Sequence, residues 1–151
     1  MLLDQVQEKI DDSWRNVWQK GIAPQLSLNA LKALRQALRD NDPKLIQGAT
    51  MSPPPLACVE DWPVEAACGI SFGPWRGDGI QNVGELEAVF AELCCYCDQA
   101  MGEPGACRWF IGWYDDAPRD VMRQALLPAV EQAVEARERE SNGGLAGSAI
   151  G

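Results

Sequence analysis

The sequence predicts an all-α domain: a small, multi-helix, orthogonal or bundle-like fold with a central helix over 83–101. Three observations lead there. Apolar residues recur at three- and four-residue steps in several long stretches, the period of a helix with one buried face. Helix start and stop signals bracket those stretches, notably Ser27, Asn82 and Gly102. The run VEAACGISF (64–72) reads equally as helix or buried strand, but it is short. It leaves an α+β fold, with one or two short strands near 66–72, as the alternative.

The first predicted helix covers 2–20, where Leu3, Val6, Ile10, Trp14 and Val17 share a stripe and Gly21 stops the run. Pro24 marks a connection. Ser27 is an N-cap for a second helix carrying Leu28, Leu31, Leu34 and Leu38 on one face. Asp42-Pro43 starts a short helical turn that ends at Gly48. Residues 49–57 (ATMSPPPLA) cannot be regular structure, because consecutive prolines favour an extended strap.

Asp61-Trp62-Pro63 opens a helix through Phe72, with Pro63 in the first turn where no donor is needed. GPWRGDG (73–79) is a loop by composition, with Trp75 packed down as a plug or held out as an anchor. Asn82 and Glu85 approximate a capping box for the helix Val83–Met101. Glu103-Pro104 starts a short helix through about Trp113, and Asp115-Asp116-Ala117-Pro118 starts the last one. Val121, Met122, Ala125, Leu126, Val130, Ala133 and Val134 form its buried stripe, with a kink or break at Pro128. The expected organisation is one helical domain over 1–140: a helical pair (1–48), a Pro-rich strap (49–57) and a helical core (58–140). A flexible tail follows over 141–151.

Composition bounds the chemistry. The chain has 151 residues, 22 acids against 13 bases and a net charge of −9. That balance disfavours nucleic-acid backbones and anionic membranes, which reward positive charge. The start, MLLDQVQEKIDD, lacks the basic and apolar regions of a signal peptide. The expected location is therefore cytoplasmic, where the six cysteines are thiols or ligands. Histidine is absent, which excludes Ser-His-Asp and Cys-His catalysis and HExxH zinc sites within this chain.

Four of those cysteines fall between Leu93 and Trp109. Wound at about 100° per residue, the 83–101 helix puts Leu86, Val89, Phe90, Leu93 and Cys97 on one face, with Cys94 at its edge. Cys95 lies opposite, on a stripe of small residues with Gly84, Ala88 and Ala91. Such a stripe predicts packing on two sides, with the thiols as soft core filler. Cys94, Cys97 and Cys107 are the alternative reading: a zinc or iron–sulfur site with Cys107 folding back towards the helix and Cys58 or Cys68 completing the set.

Tryptophan is the main sign of a partner surface. The leading function is a small acidic protein-interaction or regulatory protein without catalytic activity. Trp14, Trp18, Trp75 and Arg76 are its contact residues, and the partner is another protein, basic in character, or a second copy of the chain. An enzyme built around Arg76, Asp78, Arg108 and Asp115 is the third reading.

Overall fold

The computed structural model describes residues 13–150, with Ala57 and 143–150 as backbone alone. The fold is all-α, with a two-stranded antiparallel sheet as its other regular element among those residues. Residues 2–12 of the predicted first helix, including Leu3, Val6 and Ile10, lie outside the described residues.

Helix α1 is described over 13–22. It is α-helical over 13–17 and then widens into a π turn at Trp18–Ile22, closed by the Ala23 N–H on the Trp18 carbonyl. Gly21 does not stop the helix as expected. It sits against α4 so closely that a Cβ there would lie 2.5 Å from Cys97 Sγ. The glycine serves close approach, not termination. The extra residue of the π turn brings Trp18, Gly21 and Ile22 inward together, and a 3₁₀ turn at Ala23–Gln25 ends the element at Pro24.

Helix α2 is Leu28–Asp40. Ser27 Oγ accepts from the Ala30 N–H at 3.0 Å, and Asn41 takes the left-handed cap at φ 51°. Ala30, Leu31, Leu34, Ala37 and Leu38 are buried, as the spacing predicts.

The following segment departs from expectation. Asp42-Pro43 makes a tight turn in place of a helical one: Asp42 Oδ1 accepts from Lys44 N–H, and the Asp42 carbonyl from Leu45 N–H. Leu45 then bridges in parallel to Ala67. Strand β1 (Met51–Ser52) pairs antiparallel with β2 (Ala66–Ala67), Met51 opposite Ala67. The expected helix over Val64–Phe72 is absent, and the alternative strand near 66–72 is found at its start. Backbone donors there are claimed across the chain: Val64 by Gln81, Glu65 by Ser52, Ala67 by Lys44 and Cys68 by Thr50. A helix would need those donors for carbonyls four residues back.

GPWRGDG is not wholly loop either, since Phe72–Arg76 forms helix α3. Its glycines let α3 rest on the backbone of α2. A Cβ on Gly77 would lie 2.5 Å from the Asn29 carbonyl oxygen, and one on Gly73 2.8 Å from that of Ala30.

Helix α4 is Val83–Met101, with the boundaries the sequence predicts. Asn82 Oδ1 accepts from Glu85 N–H at 2.9 Å, and Gly102 caps at φ 69°. Its packing is one-sided, however. Val83, Leu86, Leu93 and Cys97 are buried, whereas Ala88, Ala91 and Cys95 are exposed. The helix is thus not wedged between layers: it lies along α1 and α5, and its small-residue stripe faces outward beyond Gly84, which meets the Glu60 backbone.

Helix α5 is Cys107–Asp116, with Phe110 and Tyr114 buried. Helix α6 is Arg119–Ile150. It passes Pro128 unbroken and buries Met122, Leu126, Val130 and Val134. Pro128 is exposed, so the carbonyl it leaves unpaired one turn back can be met by water. The backbone also stays helical past Ser141, where a flexible tail was expected. Glycine and serine weaken a helix by about 1 kcal/mol or less each and do not forbid it.

The α3–α2 contact yields a test. Gly77→Ala should cost about 1–3 kcal/mol in denaturant unfolding, since the clashing atoms are backbone and cannot yield. Gly79→Ala, with nothing within 4 Å and φ +79°, should cost only the left-handed strain of about 1–2 kcal/mol or less. A Gly77→Ala variant as stable as the parent chain would show that α3 does not lie on α2.

Candidate functional site

Two places in the fold bring chemically distinctive residues together. The first is a thiol cluster where α4 meets α5. The chain reverses between them over 102–106, with Gly102 at φ 69° and Gly105 at φ 80°. Asp98, on the last turns of α4, holds the reversal: Oδ2 accepts from Gly105 N–H at 2.8 Å and Oδ1 from Cys107 N–H at 2.9 Å. It therefore caps the start of α5 from another helix, satisfying donors that no side chain of α5 itself meets. Cys107, drawn down by this cap, donates to Cys94 with the sulfurs 3.2 Å apart. Cys97, fully buried, lies alongside and under Gly21.

The three thiols are electrostatically unequal. The Cys107 S–H donating to Cys94 lowers the pKa of Cys94, against burial and the Asp98 charge. Cys107, which supplies that proton, is raised by the same hydrogen bond and by burial. Burial pushes Cys97 up to about 11. Negative charge in the cluster is thus best carried on Cys94, which is half-buried, while Cys97 and Cys107 are buried.

The predicted convergence of Cys94, Cys97 and Cys107 is present. Among the described residues no group of three or more His, Cys, Asp or Glu is placed to hold a metal ion. Two thiolates on one tetrahedral zinc, at about 2.3 Å each, stand about 3.8 Å apart; the 3.2 Å contact of Cys94 and Cys107 is shorter. Neither proposed fourth ligand joins them. Cys58 is exposed, and Cys68 is buried beside Ser71 Oγ at 3.8 Å. Of the thiols read as core filler, Cys68, Cys97 and Cys107 are buried in the core, whereas Cys95 is exposed because α4 is not enclosed on two sides.

The second place is a groove of about 690 Å³ between α6, α1 and the 3₁₀ turn. Trp18, Ala125, Ala129 and Ala133 form its floor, and Gln124 and Gln132 stand at its edge. The Trp18 indole N–H points across to the Ala129 carbonyl at 3.4 Å. Arg137 closes one end by donating to the Pro24 and Ala23 carbonyls.

The tryptophans expected as anchors are mostly core. Trp14 is 2% and Trp18 1% exposed, because α5 lays Phe110 and Trp113 against them. Trp14 stacks on Trp113 at 3.6 Å between ring centres, with planes 4° apart. Trp75 is buried edge-on to Phe72, and Arg76 lies over its ring at 5.1 Å. Trp75 is therefore the plug. Of the expected contact residues, Trp18 reaches the groove and Arg76 is exposed. The aromatic residues that do face outward are Trp62, Tyr96 and Trp109.

Two residues of the enzyme reading, Asp78 and Asp115, are held by hydrogen bonds to distant parts of the chain. Asp78 accepts from Ser27 Oγ at 2.6 Å, and Asp115 from Gly48 N–H at 2.9 Å. No family model, curated protein or solved structure matches this chain. Among the described residues, no helix is long and apolar enough to cross a membrane.

Asp98→Ala should remove the cap on α5 and cost about 1–2 kcal/mol, read by thermal or denaturant unfolding. Asp98→Asn, which keeps one acceptor, should recover part of that loss. Equal stability of all three chains would mean that α5 starts without help from α4.

Proposed function

We propose that this chain is a non-catalytic protein-interaction module of a reducing, cytoplasmic compartment, and that the α1–α6 groove is its docking surface. The observation that carries the reading is the groove floor: Trp18 set among alanines at helical spacing on α6. A row of small residues leaves a channel into which the ridge of another helix fits. Helix-in-groove recognition uses such a channel, with the partner's apolar anchors at three- and four-residue steps. The volume of about 690 Å³ suits a few apolar side chains of a partner helix.

The occupant is an amphipathic helical segment of a partner protein. A chain of net charge −9 favours a partner with basic flanks that reach beyond the groove, whose own lining carries Arg15, Arg137 and Glu140. Free cysteines, some exposed and some buried, fit a compartment that keeps thiols reduced.

Filling the groove tests the proposal. Ala136 lines it, and Ala91 is exposed on the outer stripe of α4. Ala136→Trp should abolish recovery of the partners that co-purify with the chain, with the melting temperature within about 3 °C of the parent, while Ala91→Trp should leave recovery intact. Undiminished recovery with Ala136→Trp would place the docking surface elsewhere.

A further inference from the structure

The thiol cluster carries an inference independent of the groove. We propose that Cys94 and Cys107 are an oxidation site for hydroperoxides, closing to a reversible disulfide that ties α4 to α5, with Cys94 as the attacking thiol and Cys107 as the resolving one.

The geometry is already close to that product. The sulfurs are 3.2 Å apart, and a disulfide requires about 2.05 Å, so closure needs a movement of about 1 Å. Asp98 holds the first turn of α5 in register through its bonds to Gly105 and Cys107, so the resolving thiol is kept on its target. Accessibility divides the roles: Cys94 is half-buried and open to a small oxidant, while Cys107 is 3% exposed. Cys97 is withheld from the reaction by its full burial and its packing under Gly21. The hydrogen bond from Cys107 favours thiolate on Cys94, which is the nucleophilic form. Cys95 and Cys58 are exposed, but no thiol partner is in contact with either among the described residues.

The chemistry balances with the hydroperoxide as the oxidant. The Cys94 sulfur attacks the peroxide, taking one oxygen and releasing alkoxide, which captures the proton Cys94 gave up and leaves as alcohol. Cys94 is now a sulfenic acid. The Cys107 sulfur attacks Cys94 sulfur, the S–S bond forms, and the sulfenic oxygen leaves as water with the Cys107 proton. Two thiols and one hydroperoxide give one disulfide, one alcohol and one water. The two thiols lose two electrons, and the O–O bond receives them. A small-molecule thiol reverses the bond by exchange.

The experiment is disulfide mapping of the full chain after brief treatment with hydrogen peroxide and alkylation of the remaining thiols. Cleavage before Asp98 separates the peptide carrying Cys94, Cys95 and Cys97 from that carrying Cys107, and fragmentation of the joined peptides locates the bridged sulfurs. The expected result is that these two peptides are recovered joined, and released by dithiothreitol. In Cys107→Ser, Cys94 should accumulate as a dimedone-reactive sulfenic acid, with no bridge. Cys95→Ser should bridge as the parent does. Should Cys107→Ser fail to fold, the mapping of the parent chain decides alone. Recovery of Cys94 and Cys107 both alkylated after oxidation, or a bridge made through Cys97, Cys95 or Cys58 in their place, would overturn the proposal.

Discussion

The stacked pair Trp14–Trp113 and the rings around it set the arrangement of the other helices. The two indoles lie 3.6 Å apart and nearly parallel, and Phe110 fills the angle between Trp14, Trp18 and Tyr114 at 5.6–6.3 Å. Beyond the area they bury, such ring pairs contribute about 0.5–1.5 kcal/mol each. Their larger effect is geometric. Holding α1 against α5 leaves α1 a narrow space beside α4, which is met at Gly21 by the absence of a side chain and at Trp18–Ile22 by the π turn. The thiol cluster and the groove lie on either side of this seam, one beneath Gly21 and the other over Trp18.

The seam would not suffice without polar ties to the irregular segment after α2. Arg119 donates to Asn41 Oδ1 and to the carbonyls of Asp42 and Leu45, and Arg123 to those of Leu38 and Arg39. Gln47 donates to the Tyr114 and Ala117 carbonyls at the end of α5, and the Tyr114 hydroxyl to the Ile46 carbonyl. These bonds satisfy backbone acceptors that no regular element would meet, and leaving such groups unpaired in the interior is costly. Burial raises the Tyr114 pKa, so the hydroxyl stays a donor across the neutral range. Asp115, which accepts from the Gly48 N–H, and Arg119 belong to the hardware of this junction.

What was legible in the sequence was local. Ser27 and Asn82 announced their helices because capping depends on a few adjacent residues, and α4 was delimited correctly at both ends. The buried faces of α2 and α6 followed from spacing. The failures were long-range. Residues 64–68 have a helix-compatible composition, yet donors among them are claimed by partners at positions 44, 50, 52 and 81. Gly21 looks like a stop signal until Cys97 is placed against it. The helical wheel of α4 is correct, but it cannot say whether its small-residue stripe has a neighbour. The approach of Cys107 to Cys94 was foreseen as a fold-back, while the agent that causes it, Asp98, carries no local signal of that role because its partners lie past the turn.

The burial of Trp14 and Trp18 moves the proposed contact surface from exposed tryptophans to a groove that one of them floors. That change stands or falls with the aromatic seam. The most direct measurement is the unfolding free energy of Trp14→Ala in denaturant, with Trp62→Ala as reference, since Trp62 is 55% exposed. The account predicts a loss of about 3–5 kcal/mol, or no folded chain, for Trp14→Ala, and about 0.5 kcal/mol or less for Trp62→Ala. Comparable small losses for both would contradict it, returning Trp14 to the surface and leaving α1 and α5 without the contact that orders the rest.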